Sequence, residues 1–287
     1  LLISFFSFSQ EKKRLALVIG NSDYEFSTPL DNPVNDANLI ASKLDSLGFE
    51  VILEKNITTS SEFSKIINEF SLKRNKQELA LIFYSGHAVQ FNNRNYLLPT
   101  KGTVNMDSFD SFDDPFAEVI DVQGMINYLL NDTEAPTLIV LDACRTSPIS
   151  DGSKGEGTTQ AGLAQIEVPN GAVIAYSAKA GMKAYDGDGN NSLYAMSFAK
   201  HIMTEDLNHN DLFRRVREDV ELASQERQTP DYTEQLIGGA IYLNPIAIKS
   251  YLNKAQLLIE REQYSEALEV LNESLNDYPN NAEVYRL

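Results

Sequence analysis

Short apolar runs alternate with longer stretches of helical periodicity along most of this chain. Leu15–Gly20, Glu50–Leu53, Leu79–Tyr84, Thr137–Leu141, Gly171–Tyr176 and Glu234–Ile237 are strand-sized. Asn35–Leu47, Ser60–Phe70, Asp121–Leu130, Ser192–Met203 and Asp211–Ser224 repeat apolar positions every three or four residues and predict helices. Strand and helix in repetition predict an α/β fold with a mainly parallel sheet covered on both faces. Ala88–Phe91 and Arg94–Leu98 flank Asn92-Asn93 and predict a small hairpin.

In sheets of this kind, active sites collect beyond the carboxyl ends of the strands. Two of the apolar runs lead there into reactive side chains. One ends in Ser85-Gly86-His87, the other in Asp142-Ala143-Cys144, which holds the only cysteine. A thiol paired with a histidine from another strand end is what a cysteine hydrolase needs, because thiolate is the nucleophile and imidazole activates it and protonates the leaving group. The plain alternative is an inert core cysteine, since free Cys is among the most buried residue types.

The flanking residues resemble the caspase-like (clan CD) cysteine peptidases, nearest to the metacaspase, paracaspase and bacterial caspase-homologue branch. The resemblance runs from residue 14 to about 243. It rests on Leu15-Ala-Leu-Val-Ile-Gly-Asn-Ser-Asp-Tyr24, Asn32-Pro-Val-Asn-Asp-Ala37, Tyr84-Ser-Gly-His87 and Asp142-Ala-Cys-Arg145, in the family's order. His87 precedes Cys144 by close to the roughly 50 residues of caspases, whereas papain-like enzymes place cysteine first. The resemblance implies a caspase-like three-layer α/β/α sandwich around a mainly parallel six-stranded sheet. It further implies a cysteine endopeptidase working by a His87–Cys144 dyad, with an oxyanion hole from the N–H groups of Gly86 and Cys144.

Substrate preference turns on Asp142. If the strand continues, positions 142 and 144 share a face, and a carboxylate beside the thiol can pair with a basic substrate side chain. Metacaspases and paracaspases carry Asp here and cleave after basic residues, while animal caspases carry glutamine and take aspartate. The resemblance adds Asp36 and Ser85 to the pocket. Asp36 has a second reading as an early-helix acid favoured by the macrodipole. Lys183 departs from the paracaspase pattern, which has an acid in that loop, and opposes a basic substrate unless it pairs with Asp186 or Asp188.

Composition narrows the partners. The 287 residues hold 43% hydrophobic positions, enough for a real core. With 24 basic against 41 acidic residues the net charge is −17, which argues against nucleic acid as a partner. No cofactor is implied. Calcium is raised by Asp186-Gly-Asp-Gly-Asn190 and by the aspartates of Asp107–Asp114, but neither has the spacing of an EF-hand loop, so no metal ligands are assigned. The glycine-rich segment after Cys144, from 151 to about 165, is a candidate processing loop with Lys154 as its basic residue.

The ends carry separate expectations. Residues 1–10 are apolar and read as the remnant of a signal peptide or as a short buried strand. The first reading implies export to a periplasmic or extracellular compartment, the second a cytoplasmic protein. No other stretch is apolar enough for a membrane span. The domain is expected over 11–245. From 246 to 287, Tyr251, Ala255, Ala267 and Pro279 fall at the spacing of a tetratricopeptide-like repeat, an α-helical hairpin that binds a protein partner when repeated. A plain helical hairpin is the alternative. Two other functional classes stay open: a catalytically silent caspase-like scaffold acting through its helical repeats, and a different α/β cysteine hydrolase such as an amidase.

Overall fold

The structure is a computed structural model that describes residues 14–74, 79–104, 116–131, 135–145, 163–179, 184, 189–236, 239–245, 248–277, 284 and 287. The expected features at residues 1–10, Asp107–Asp114, Lys154, Lys183, Asp186, Asp188 and Pro279 lie outside the described residues.

The elements follow the predicted alternation. Strands β1 (Arg14–Gly20), β2 (Phe49–Lys55), β3 (Leu79–Phe91), β6 (Thr137–Arg145), β7 (Ala172–Tyr176) and β8 (Asp231–Gln235) form the main path, in the order β2-β1-β3-β6-β7-β8. All neighbours on it pair in parallel except β7 and β8. The expected six strands are there, and β4 (Arg94–Leu97) and β5 (Ile120–Asp121) extend the sheet to eight beside β3.

Alternation along each strand divides its apolar side chains between two cores, because successive Cβ atoms point to opposite faces. Ala16, Val18, Leu81, Phe83, Val140 and Ala175 pack with α1 (Pro33–Ser46), α4 (Leu193–His201) and α5 (His209–Ala223). Leu17, Ile19, Ile82, Ile139 and Ile174 pack with α2 (Ser60–Lys73) and α3 (Val122–Leu130). This is the three-layer sandwich that two-sided apolar strands require.

Helix starts are set by side-chain caps. Thr59, Asp121, Ser192 and Asn208 each accept a main-chain N–H from the first turn of α2, α3, α4 and α5. Asn208 therefore starts α5 two residues earlier than apolar periodicity alone predicts. Pro33 opens α1 two residues before the predicted Asn35, since its fixed φ suits the first helical position.

Two strand ends depart from expectation in a way that matters for the site. β3 does not stop at Tyr84 but runs through His87 into the hairpin with β4, turning at Asn92 and Asn93, both at positive φ. β6 likewise continues through Cys144 to Arg145. His87 and Cys144 thus lie within extended strands, where the ladder dictates their spacing. The predicted strand at Glu234–Ile237 falls at Asp231–Gln235, because pairing to β7 rather than the local apolar run sets its limits.

Beyond the sheet, α6 (Ile248–Glu260) and α7 (Tyr264–Asp277) form a hairpin with a small core of its own around Ala255, Val270, Leu271 and Val284. No helix among the described residues is long and apolar enough to cross a membrane.

Candidate active site

The ladder between β3 and β6 brings the sequence candidates together. Ser85 lies opposite Asp142, Gly86 opposite Ala143, and His87 opposite Cys144. The two strands therefore carry His87 and Cys144 at one register position of the ladder.

His87 is buried and held from several sides. Its Nε2 is 2.7 Å from the Thr28 carbonyl oxygen. A carbonyl only accepts, so Nε2 carries the proton, and in the neutral ring Nδ1 is the basic nitrogen. The ring lies against Tyr24, with centroids 4.4 Å apart. Its main-chain N–H donates to the Tyr24 hydroxyl at 2.7 Å, and its carbonyl accepts from the Tyr84 hydroxyl at 2.7 Å and from the Leu98 N–H at 3.1 Å.

Gly86 sits at φ +154, a region essentially reserved for glycine. A Cβ there would lie 2.6 Å from the Tyr24 hydroxyl and 2.9 Å from that of Tyr84. The glycine is therefore demanded by the two tyrosines.

One step back along the ladder, two acids share a buried polar cluster. Asp36, 1% exposed, accepts from Asn191 Nδ2 at 2.9 Å and the Ser192 N–H at 3.0 Å on one oxygen, and from Ser85 Oγ at 3.3 Å on the other. Asp142, 6% exposed, accepts from Ser192 Oγ at 2.5 Å. Ser192 thus joins both carboxylates while its Oγ also caps α4 by accepting the Ala195 N–H. Asp36, Ser85 and Asp142 thus meet in one cluster. The macrodipole reading of Asp36 does not account for its burial among these three donors.

Thr28, Tyr24, Asn191 and Ser192 were missed as site residues. Ser192 had a visible signal, as a serine directly before an apolar helical stretch, but that marks a cap and not a pocket. Nothing local marks a carbonyl such as that of Thr28. Among the described residues, no group of three or more His, Cys, Asp or Glu side chains could hold a metal ion.

Burial sets the electrostatics. It raises the carboxyl pKa of Asp36, against the opposing hydrogen bonds from Asn191, Ser192 and Ser85. Burial raises the Tyr194 hydroxyl well above its usual value, helped by the negative charge of Asp142. A carboxyl with a folded pKa above its unfolded one is favoured by folding when protonated, so ionisation of Asp36 costs stability at neutral pH and the cost vanishes on acidification. Asp36→Asn keeps the Oδ1 acceptor and can donate to Ser85. It should melt above the wild type at neutral pH, with the gap closing as pH falls toward the ordinary carboxyl value of 3.8. Thermal melts of both proteins across pH test this, and a variant less stable at neutral pH would show that the hydrogen bonds outweigh the burial cost.

A family model described as Peptidase_C14, caspase domain, matches residues 13–239. The chain belongs to the caspase-domain peptidase family. It is 23% identical over 270 residues to mucosa-associated lymphoid tissue lymphoma translocation protein 1 of Homo sapiens, a match covering 90% of this chain and 30% of that protein. The Mus musculus homolog is 24% identical over 218 residues, 73% of this chain and 24% of that protein. The chain therefore spans less than a third of the length of the curated relatives it matches. A solved structure described as that of pro-sf-caspase-1 superposes with a TM-score of 0.59 at 16% identity, covering 81% of this chain and 91% of that one. At that identity the likeness establishes the caspase fold.

Proposed function

We propose that this caspase domain is a cysteine endopeptidase that cleaves after Arg or Lys through a Cys144–His87 dyad. The observation that carries the reading is the β3–β6 register, with His87 opposite Cys144 and a buried pair of acids, Asp36 and Asp142, one short step away.

The chemistry follows from the proton positions. With Nε2–H committed to Thr28, His87 Nδ1 takes the proton from the Cys144 thiol, and the thiolate attacks the substrate carbonyl carbon. Main-chain N–H groups then stabilise the oxyanion. The resemblance names those of Gly86 and Cys144, while the N–H of His87 is already committed to Tyr24. The protonated imidazole donates from Nδ1 to the departing amine, leaving a thioester. Water attacks the thioester with His87 again as base, releasing the acid and restoring the thiol. Throughout, the Thr28 carbonyl favours the imidazolium, because the hydrogen bond it accepts strengthens when the ring is charged.

Preference for a basic residue is supported by the neutral partners of Asp36, which are an amide, a main-chain N–H and a hydroxyl. A guanidinium or ammonium entering beside two carboxylates gains charge-assisted hydrogen bonds, whereas an aspartate meets like charge. Identical fluorogenic peptides ending in Arg, Lys, Asp or Ala test the assignment, with faster cleavage after Arg or Lys expected. Faster cleavage after Asp would remove it, and hydrolysis of none of them would favour a non-catalytic caspase-like scaffold. The hairpin of α6 and α7 we read as a tetratricopeptide-like unit that holds a protein partner, supported by the burial of Ala255 and Ala267 at the expected small-residue positions.

A further inference from the structure

We propose that Tyr24 and Tyr84 are positioning residues for the base, two hydroxyls that clamp the His87 peptide from opposite ends. The role rests on the dyad reading above. It deepens that reading by assigning residues that act on His87 through its backbone.

The hydrogen-bond accounting is nearly closed. The Tyr24 oxygen accepts the His87 N–H at 2.7 Å, so its own proton faces either the Leu98 carbonyl or the Tyr84 oxygen, each 3.4 Å away. Tyr84 spends its single proton on the His87 carbonyl at 2.7 Å, in preference to the Leu98 carbonyl at 3.3 Å. One tyrosine therefore acts as acceptor and the other as donor to the same residue. Exchanging the roles would leave the His87 N–H facing a hydroxyl proton.

Both hydroxyls are buried, and burial pushes Tyr24 up to about 12 and Tyr84 well above its usual value. They stay neutral over the range in which a cysteine peptidase works, so the clamp does not titrate with the dyad. A tyrosinate at either position could not donate, and one at position 84 would repel the His87 carbonyl.

The clamp explains three features together. It accounts for Gly86, whose missing Cβ gives the hydroxyls their place. It gives the His87 N–H a partner within the extended strand, since this N–H goes to a side chain. It also ties the histidine to one loop at two points: Tyr24 holds the backbone and covers the ring, and Thr28, four residues on, holds Nε2. That loop is itself anchored, with the Tyr24 and Leu30 N–H groups on the Ser22 carbonyl and the Ser22 N–H on Asn56 Oδ1. Removing one hydroxyl should leave the substrate pocket in place and let the imidazole shift relative to the thiol.

The experiment compares wild type, Tyr24→Phe and Tyr84→Phe, each keeping its ring and losing one oxygen. Three readouts are taken: kcat and KM on a fluorogenic peptide, the pH dependence of Cys144 alkylation by iodoacetamide, and nitrogen-15 spectra of the imidazoles, of which the chain has only three. Each variant should lower kcat about 10- to 100-fold with KM nearly unchanged, as expected for a misplaced catalytic group. The alkylation profile should shift, and the His87 ring should lose its pure Nε2–H tautomer. Unchanged kcat and His87 spectra in both variants would overturn the clamp. So would a loss of activity that tracks melting temperature while the His87 spectrum stays that of wild type, since that is a merely structural role. If the alkylation profile of His87→Ala, run as a fourth protein, matches that of wild type, the dyad itself fails and the clamp with it, an outcome identified without the tyrosine variants.

Discussion

Cys144→Ala and His87→Ala should each lose peptide hydrolysis by about 10⁴-fold or more, the scale seen when one member of a nucleophile–base unit is removed. The two losses should not add in the double variant, because nucleophile and base act in the same step. The fold should survive both changes, since the two helical layers pack on the alternating apolar side chains of the strands. Circular dichroism and melting curves measured beside the kinetics check that point. Residual turnover within about tenfold of wild type in either single variant would remove the dyad, because general-base assistance alone is worth roughly 10²- to 10⁴-fold.

The second large effect concerns selectivity. A charge-assisted hydrogen bond contributes roughly 1.5 to 3 kcal/mol. Two such carboxylates, together with repulsion of an acidic side chain, should give a preference for Arg or Lys over Asp of at least about 100-fold in kcat/KM, at 1.4 kcal/mol per decade. Asp142→Asn should erase most of it. The neutral amide can still accept the Ser192 hydroxyl seen in the structure, so the cluster keeps its geometry while losing a charge. Alkylation of Cys144 by a small neutral reagent should change far less than the selectivity does, since Asp142 has no part in activating the thiol. The peptide panel run on both proteins measures the effect. An unchanged ratio of Arg to Asp cleavage would place the recognition of charge elsewhere.

What the sequence reached, it reached by local physics. A strand buried on both faces must be apolar throughout, so β1, β3, β6 and β7 stand out as runs, and the intervening helices show their own period. A chain with a single cysteine leaves one candidate nucleophile of that kind, and Tyr84-Ser-Gly-His87 supplied the histidine. Asp36, Ser85 and Asp142 came from motif resemblance, and the structure gathers all three into one buried cluster.

The remainder belongs to tertiary structure, because it depends on contacts between segments far apart in the chain. That β3 and β6 continue past their apolar runs is decided by the ladder between them, which keeps polar residues extended as long as their backbones find partners. The limits and antiparallel direction of β8 come from β7 in the same way. Ser192 reads locally as a helix cap, and only the docking of α4 against α1 and β6 turns it into the link between two carboxylates. The tautomer of His87 is fixed by a carbonyl, a group that every residue carries, so no residue type could announce it. Sequence named the side chains that can react, while the fold chose the backbone atoms and hydroxyls that hold them in place.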